Sequence, residues 1–459
     1  MAASKKPTPA VGPQRTLLEN GLWVATEYLP HVRSASLGVY LDTGSRDEAP
    51  DSSGLAHFFE HMVFKGTPKL GPLEIVQRFE ATGGQVNAWT SKEQTCFYGK
   101  VVDSEAQGAL DVLLDMVFNA KFDATDVRKE KDVVIEEIRS VNDSPDELAH
   151  ELFAQASFGG HALGRPIAGT EKSVKGLTAA LLRGHRDAAR AATPAAVVAV
   201  GRVDHDEVVA RVRRYFKLRA SNSSPLQTSV RPQRAAALRS SAAPKATARA
   251  GRAPLAREAA VYRPRHIIKM RDVQQATVVI GGEGCGARSP DRYPLLLLHC
   301  VLGDGMSSRL FQNLRETHGL VYSIYTNPEF LSREGMFGIG FATDAAQVPK
   351  AIREIGRELS RVCDEGLSAT DLKRAKENIK GSVLLGLEST GSRMSGLARR
   401  VLGDRWDETP DKILEKVDAV TRADILRCAR QYLKPQTWAS AAVVPKGFKV
   451  DLGALLSKA

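Results

Sequence analysis

The chain has 459 residues and a formal net charge of +11, and its five cysteines, Cys96, Cys285, Cys300, Cys363 and Cys428, are scattered with no C-x-x-C pair. That usage excludes a disulfide framework and a cysteine-ligated zinc site, and it fits a reducing compartment. No apolar leader core follows Met1 and no run of about eighteen apolar residues occurs, so neither a secretory signal nor a membrane span is expected, and the cytoplasm is the expected location.

Residues 1–14 carry Lys5 and Lys6 among Pro7, Pro9 and Pro13, which spoil an amphipathic helix, and are expected to be disordered. A strand is expected over residues 36–41. His57-Phe58-Phe59-Glu60-His61 follows and is the most informative string in the chain. Ser52 and Ser53 are good N-caps, residues 54–65 hold no proline, and Gly66 with Pro68 supplies a stop, so the string is expected on a helix. Positions i and i+4 share a helix face, which lets both imidazoles grip one cation while Glu60 stands beside it as a base. Next come an alternating strand over 96–102 and an amphipathic helix over 105–117.

Residues 125–141 are strongly helical and contain Glu130, Glu136 and Glu137. A catalytic zinc takes three protein ligands and keeps a fourth position open, so two histidines need one further donor. Glu130 and Glu137 share a face but lie about 10.5 Å apart along the axis, so only one of them can touch the ion. Glu136 points about 100° away from Glu137, as a solvated charge would. Asp143, Asp146, Glu147 and Glu151 then form an acidic cluster of the kind that favours a helix N-terminus.

Residues 220–262 are rich in alanine, serine, proline and arginine and read as a linker. From Arg219, the bases Arg231, Arg234, Arg239, Lys245, Arg249, Arg252 and Arg257 precede the first acid, Glu258. They account for most of the net charge, so the basic character belongs to the linker and no nucleic-acid-binding face is expected. Beyond it, strands are expected over 276–281 and 337–341 and a helix over 347–362. Thr370-Asp371-Leu372-Lys373-Arg374-Ala375-Lys376 repeats Thr125-Asp126-Val127-Arg128-Lys129-Glu130-Lys131, with Ala375 opposite Glu130 and Ser382 opposite Glu137. Residues 84–116 and 319–359 run parallel in the same way, and the second half has no H-x-x-E-H. The expectation is a duplication, with a catalytic zinc-binding half over 15–219 and a homologous half without metal ligands over 263–459, each α+β.

Residues 54–67, the histidine string with its flanks, closely resemble the active-site helix of the M16, or pitrilysin-type, metallopeptidases, the inverted-motif zincins. The resemblance covers residues 15–445 and is greatest to the two-domain, processing-peptidase-like bacterial members. It implies an α+β fold of two homologous domains, each an antiparallel sheet with packed helices, the LuxS/MPP-like metallohydrolase architecture. It implies one Zn2+ per chain on His57, His61 and Glu137, with Glu130 supporting them and Glu60 activating the zinc-bound water. Arg315 and Tyr322, seven apart, match the family pair that binds the substrate backbone and stabilises the oxyanion. Asn87, Ala88 and Trp89 resemble the edge strand that substrate joins, and Phe64 resembles an apolar subsite wall. Glu147 and Glu151 stand where processing peptidases read a basic residue. The implied function is a zinc-dependent endopeptidase acting on peptides or unfolded protein segments. The alternative is a non-catalytic or partner-dependent subunit of a processing-peptidase or core-protein-like assembly. Implied partners are the peptide substrate and a second copy in a homodimer, with a heterodimer with an M16-like partner as the other arrangement.

Overall fold

The computed structural model describes residues 12–191, 194–220 and 257–459. The first half of the chain builds a sheet from β1 (Gly12–Leu17), β2 (Trp23–Tyr28), β3 (Ser34–Leu41), β4 (Gln85–Thr90), β5 (Thr95–Val102) and β6 (Ala195–Gly201), in the order β1-β2-β6-β3-β5-β4. The second half builds another from β7 (His266–Arg271), β8 (Ala276–Cys285), β9 (Ser323–Phe330), β10 (Glu334–Thr343) and β11 (Ala439–Pro445), in the order β7-β11-β8-β10-β9. With β1 set aside, the two orders correspond strand for strand. The sheets are mainly antiparallel, as expected, with one parallel pair in each, β6 with β2 and β11 with β7. In each half the last strand returns through helices to lie beside an early strand, β2 or β7, and such a crossover permits parallel pairing. The repeated segments fall on equivalent helices, Ala124–Asp143 and Ala369–Gly386.

Every residue of β6, Ala-Ala-Val-Val-Ala-Val-Gly, is buried. A strand with no polar alternation needs cover on both faces. Val197 and Ala199 point into a core shared with the helices Leu55–Val63 and Ala106–Asn119. Ala196, Val198 and Val200 point the other way, onto Met394, Leu397, Ala398 and Val401 of the helix Thr390–Leu402, which belongs to the second half. The exchange is reciprocal: Ala439, Ala441 and Val443 of β11 meet Leu148, Ala149, Phe153 and Ala156 of the first-half helix Pro145–Phe158. Each half thus lends a helix to the other's sheet, and separating them would expose both apolar faces at about 1.5–3 kcal/mol per large side chain.

A polar clasp joins the halves elsewhere. The Arg46 side chain, 2% exposed, donates to Glu93 at 2.7 Å, to the two oxygens of Glu334 at 2.8 and 3.0 Å, and to the Glu258 carbonyl oxygen at 2.6 Å. Beside it Arg257 pairs with Asp42 and Asp47. Two expected boundaries are corrected by these contacts. Residues 12–14, expected to be disordered, lie in β1, where pairing with β2 satisfies their backbone. Residues 257–262, expected as linker, are anchored: Arg257 is buried among acids distant in sequence, and Tyr262 donates to the Gly281 carbonyl oxygen at 2.9 Å. Residues 1–11 and 221–256, the rest of those two stretches, lie outside the described residues. Among the described residues no helix is long and apolar enough to cross a membrane.

Candidate metal centre

The helix Leu55–Val63 is oriented by its own sequence. Phe58, Phe59, Met62 and Val63 are fully buried in the first core, which rolls His57, Glu60 and His61 together onto the opposite face. Ser52 and Ser53 do not cap it, contrary to expectation. Gly54 occupies the N-cap with φ +93°, and the Glu48 carboxylate accepts from Gly54 N and Ala56 N, both at 2.7 Å. A carboxylate on free N–H groups at a helix N-terminus satisfies donors that have no intrahelical partner. Burial pushes the Glu48 carboxyl up to about 7, while those two N–H groups pull it back. At Gly54 an added Cβ would stand 2.5 Å from the Ala168 carbonyl oxygen, so the cap needs glycine for space as well as for conformation.

The helix Ala124–Asp143 supplies the third donor. Val127, Val134, Ile135 and Ile138 seat it in the core, which turns Glu130 and Glu137 toward the histidines. His57 Nε2 lies 3.4 Å from one Glu137 oxygen and His61 Nε2 lies 3.4 Å from the other. All three donors fall within 4.8 Å of one another. Ligands bonded tetrahedrally to zinc at about 2.0–2.1 Å stand roughly 3.3–3.4 Å apart, so the spacing suits that ion better than a direct hydrogen bond. The Glu137 side chain is 43% exposed against 12% for His57 and 22% for His61, so the cluster opens on the glutamate side. This donor set of two imidazoles and one carboxylate fits a catalytic zinc.

Acids dominate the charge around the cluster. The close approach of the His57 and His61 rings holds the Glu137 carboxyl well below the ordinary carboxylate range. Burial works to lower the His61 pKa, but Glu130 and Glu137 outweigh it and push it up to about 9. Glu130 is 5% exposed and touches His61 Nδ1 at 3.0 Å and Lys65 Nζ at 2.6 Å. A carboxylate on the far nitrogen fixes the ring's tautomer and leaves the Nε2 lone pair facing the ion. Glu136 turns away to Arg139 at 2.5 Å, as expected.

The remaining expected residues divide. β4 lies at the sheet edge, with Asn87 and Trp89 exposed and Ala88 half-buried; no strand pairs with its outer side among the described residues, and there the Ala88 N–H donates to Asn87 Oδ1 at 2.8 Å. Phe64 caps the motif helix and packs against the first core. Glu151 lines an interior cavity of about 490 Å³ with His150, Lys92 and Glu329, whereas Glu147 is exposed. Arg315 and Tyr322 are brought together: the guanidinium lies 5.4 Å from the ring centroid, and Arg315 sits on the π-helical turn Phe311–Thr317. Tyr322 is 70% exposed, and no hydrogen bond or ion pair joins either residue to the histidine cluster. Sequence reasoning missed Thr90, whose hydroxyl donates to Glu60 Oε2 at 2.5 Å, and it missed Glu48. Both are ordinary polar residues in the sequence, and only the folded contact distinguishes them.

The family model "Insulinase (Peptidase family M16)" matches residues 23–171, and "Peptidase M16 inactive domain" matches residues 177–379. A protein of Mycobacterium tuberculosis named as an uncharacterized zinc protease is 37% identical over 448 residues, covering 97% of this chain and 96% of that one. The Bacillus subtilis protein YmxG, likewise named an uncharacterized zinc protease, is 35% identical over 434 residues, 95% of this chain and 98% of its own. Among solved structures, a protease from Helicobacter pylori superposes with a TM-score of 0.80 at 20% identity, covering 95% of this chain and all of that one. A chain of Complex III2 from Candida albicans superposes at 0.77 and 18% identity, covering 97% and 99%. At those identities the two structures bear on the fold alone.

Proposed function

The chain belongs to peptidase family M16, and on that premise we propose that it is a zinc-dependent endopeptidase cleaving peptides or unfolded protein segments, with His57, His61 and Glu137 as the metal ligands and Glu60 as the base. The observation that carries this reading is the convergence of His57 Nε2, His61 Nε2 and the Glu137 carboxylate within 4.8 Å of one another, from two helices about seventy residues apart in sequence. When bound, zinc supplies Lewis acidity, bringing a coordinated water toward neutral pKa and polarising the peptide carbonyl.

The chain's own groups do the rest. Thr90 holds Glu60 through Oε2, which leaves Oε1 to take the proton from the attacking water and deliver it to the leaving amine nitrogen. Glu130 keeps His61 Nε2 presented to the ion. The outer edge of β4 binds substrate main chain by strand addition, displacing Asn87 Oδ1 from the Ala88 N–H, which selects extended, flexible segments ahead of particular side chains. On the second half the Arg315 and Tyr322 pair supplies donors to the substrate backbone and the developing oxyanion. The fold shared with a Complex III2 chain favours a second reading, a non-catalytic assembly subunit, but such a subunit has no need of a base beside an open metal position.

Purified chain is tested for zinc content and for cleavage of an internally quenched peptide, with and without chelator. Chelator-sensitive cleavage that disappears in Glu60→Gln while zinc stays bound supports the peptidase. Bound zinc with no cleavage by the wild type favours the assembly subunit.

A further inference from the structure

Beside the Arg46 and Arg257 clasp, between the halves, lies a second cavity of about 470 Å³. Six of its lining side chains are cationic: Lys92, Arg257, Arg288, Arg333, Arg399 and Arg405. Its acids do not balance them. Asp42 is taken by Arg257, and Glu93 by Arg46 and by Ser332. Burial pushes the carboxyl of the third acid, Glu329, up toward its neutral form.

Some of the cations are also committed. Arg257 and Arg405 have acid partners, and Lys92 donates to the Arg165 carbonyl oxygen at 2.5 Å. Among the described residues Arg288 and Arg333 donate only to backbone carbonyl oxygens, of Gly403 and Arg257 respectively. The Arg399 side chain is exposed along the cavity and makes no hydrogen bond or ion pair among the described residues; desolvation and Arg292 lower its pKa, while Tyr40 and Glu408 favour its charged form. Arg399 lies in the last turn of the helix Thr390–Leu402, where a cation favours the helix dipole, but that accounts for one charge and not for three converging. Arg288 and Arg333 are likewise exposed along the cavity, and cationic groups in excess of the acids of one cleft attract an anion.

The chain sets where that anion would lie relative to the chemistry. Ser91 follows Thr90, which holds Glu60, and Lys92 is one residue further, at most about 7 Å along the backbone. A peptide laid on β4 with its scissile bond at Glu60 therefore runs toward the mouth of this cavity. We propose that the cavity is a subsite for the carboxylates of acidic substrate residues a few positions from the scissile bond, with Arg399 as the principal contact and Arg288 and Arg333 beside it. The assignment rests on the endopeptidase reading above. A planar guanidinium matches a carboxylate with two parallel hydrogen bonds, which an ammonium cannot do.

Two quenched peptides sharing one cleavage core, one flanked by alanines and one by aspartates, test it on the full chain. The wild type is expected to favour the aspartate peptide by about tenfold in kcat/KM, chiefly through KM, with Arg399→Gln bringing the ratio toward one and Arg399→Lys keeping part of the preference. Calorimetry of the same peptides on zinc-loaded Glu60→Gln, with and without Arg399→Gln, reads the preference without turnover. Absence of cleavage of both peptides then counts against the peptidase, whereas equal binding of both counts against the acidic subsite. Inorganic phosphate is the third probe. Phosphate binding that is lost in Arg399→Gln, without any preference for the aspartate peptide, would give the cavity to a small free anion and overturn the proposal.

Discussion

Replacing Glu130 asks whether the metal site depends on more than its three donors. One oxygen of this buried carboxylate lies 3.0 Å from His61 Nδ1 and the other 2.6 Å from Lys65 Nζ. Glu130→Ala removes both contacts: His61 becomes free to exchange tautomers and rotate, and a half-buried ammonium is left beside the site without its acid. Loss of such an outer carboxylate costs ten- to a hundredfold in metal affinity, about 1.4–2.8 kcal/mol, and loss of both contacts puts Glu130→Ala near the upper end. Glu130→Gln keeps an amide oxygen for the Nδ1–H but loses the charge, so it is expected near tenfold, roughly 1.4 kcal/mol. Zinc affinity is read by competition with a chromophoric chelator at fixed pH, with circular dichroism to show that the helices persist. Wild-type affinity in a folded Glu130→Ala chain would refute the argument that this carboxylate orients His61.

Thr90→Val removes the hydroxyl that holds Glu60 and is expected to lower kcat by about tenfold or more while zinc content stays constant; steady-state kinetics with metal analysis checks it. Tyr322→Phe is expected to lower kcat with little change in KM, and an unaltered kcat removes the residue from the oxyanion role. Arg46→Met leaves Glu93 and Glu334 without their buried partner and is expected to cost about 3 kcal/mol in chemical denaturation. Burial raises the Glu334 pKa, but Arg46 holds it below the ordinary 4.5, so this stabilisation is present above that value and is lost as pH falls through the lower folded value. The gap between wild type and Arg46→Met should therefore narrow in acid, and a gap that widens there contradicts the assignment. Phe153→Ala, emptying a site where the first half packs on the second sheet, is expected to cost about 3–5 kcal/mol and to shift one common unfolding transition for both halves. Separate transitions would show that the exchanged helices do not couple them.

The motif helix was legible because its causes are local. Phe58, Phe59, Met62 and Val63 mark the buried face within two turns, and helical periodicity then puts His57, Glu60 and His61 on the other. Strands β3, β5, β8 and β10 and the repeated helices were legible for the same reason, whereas β1, β2, β7, β9 and β11 were not read as strands from the sequence. Helical spacing narrowed the third ligand to Glu130 or Glu137 but did not decide between them; family resemblance pointed to Glu137, and the structure brings its two oxygens within 3.4 Å of the imidazoles. Glu48 in place of Ser52 or Ser53 at the helix start, Thr90 on Glu60, and Arg257 among Asp42 and Asp47 were invisible, since nothing in a polar residue's neighbours in sequence says which distant group it will meet. The all-apolar β6 needs cover on both faces, and only the tertiary structure decided that the second cover is a helix from the other half. Periodicity is written by residues a few positions apart on one backbone. The pairing of faces is settled by which apolar surfaces exclude water best once the whole chain has collapsed.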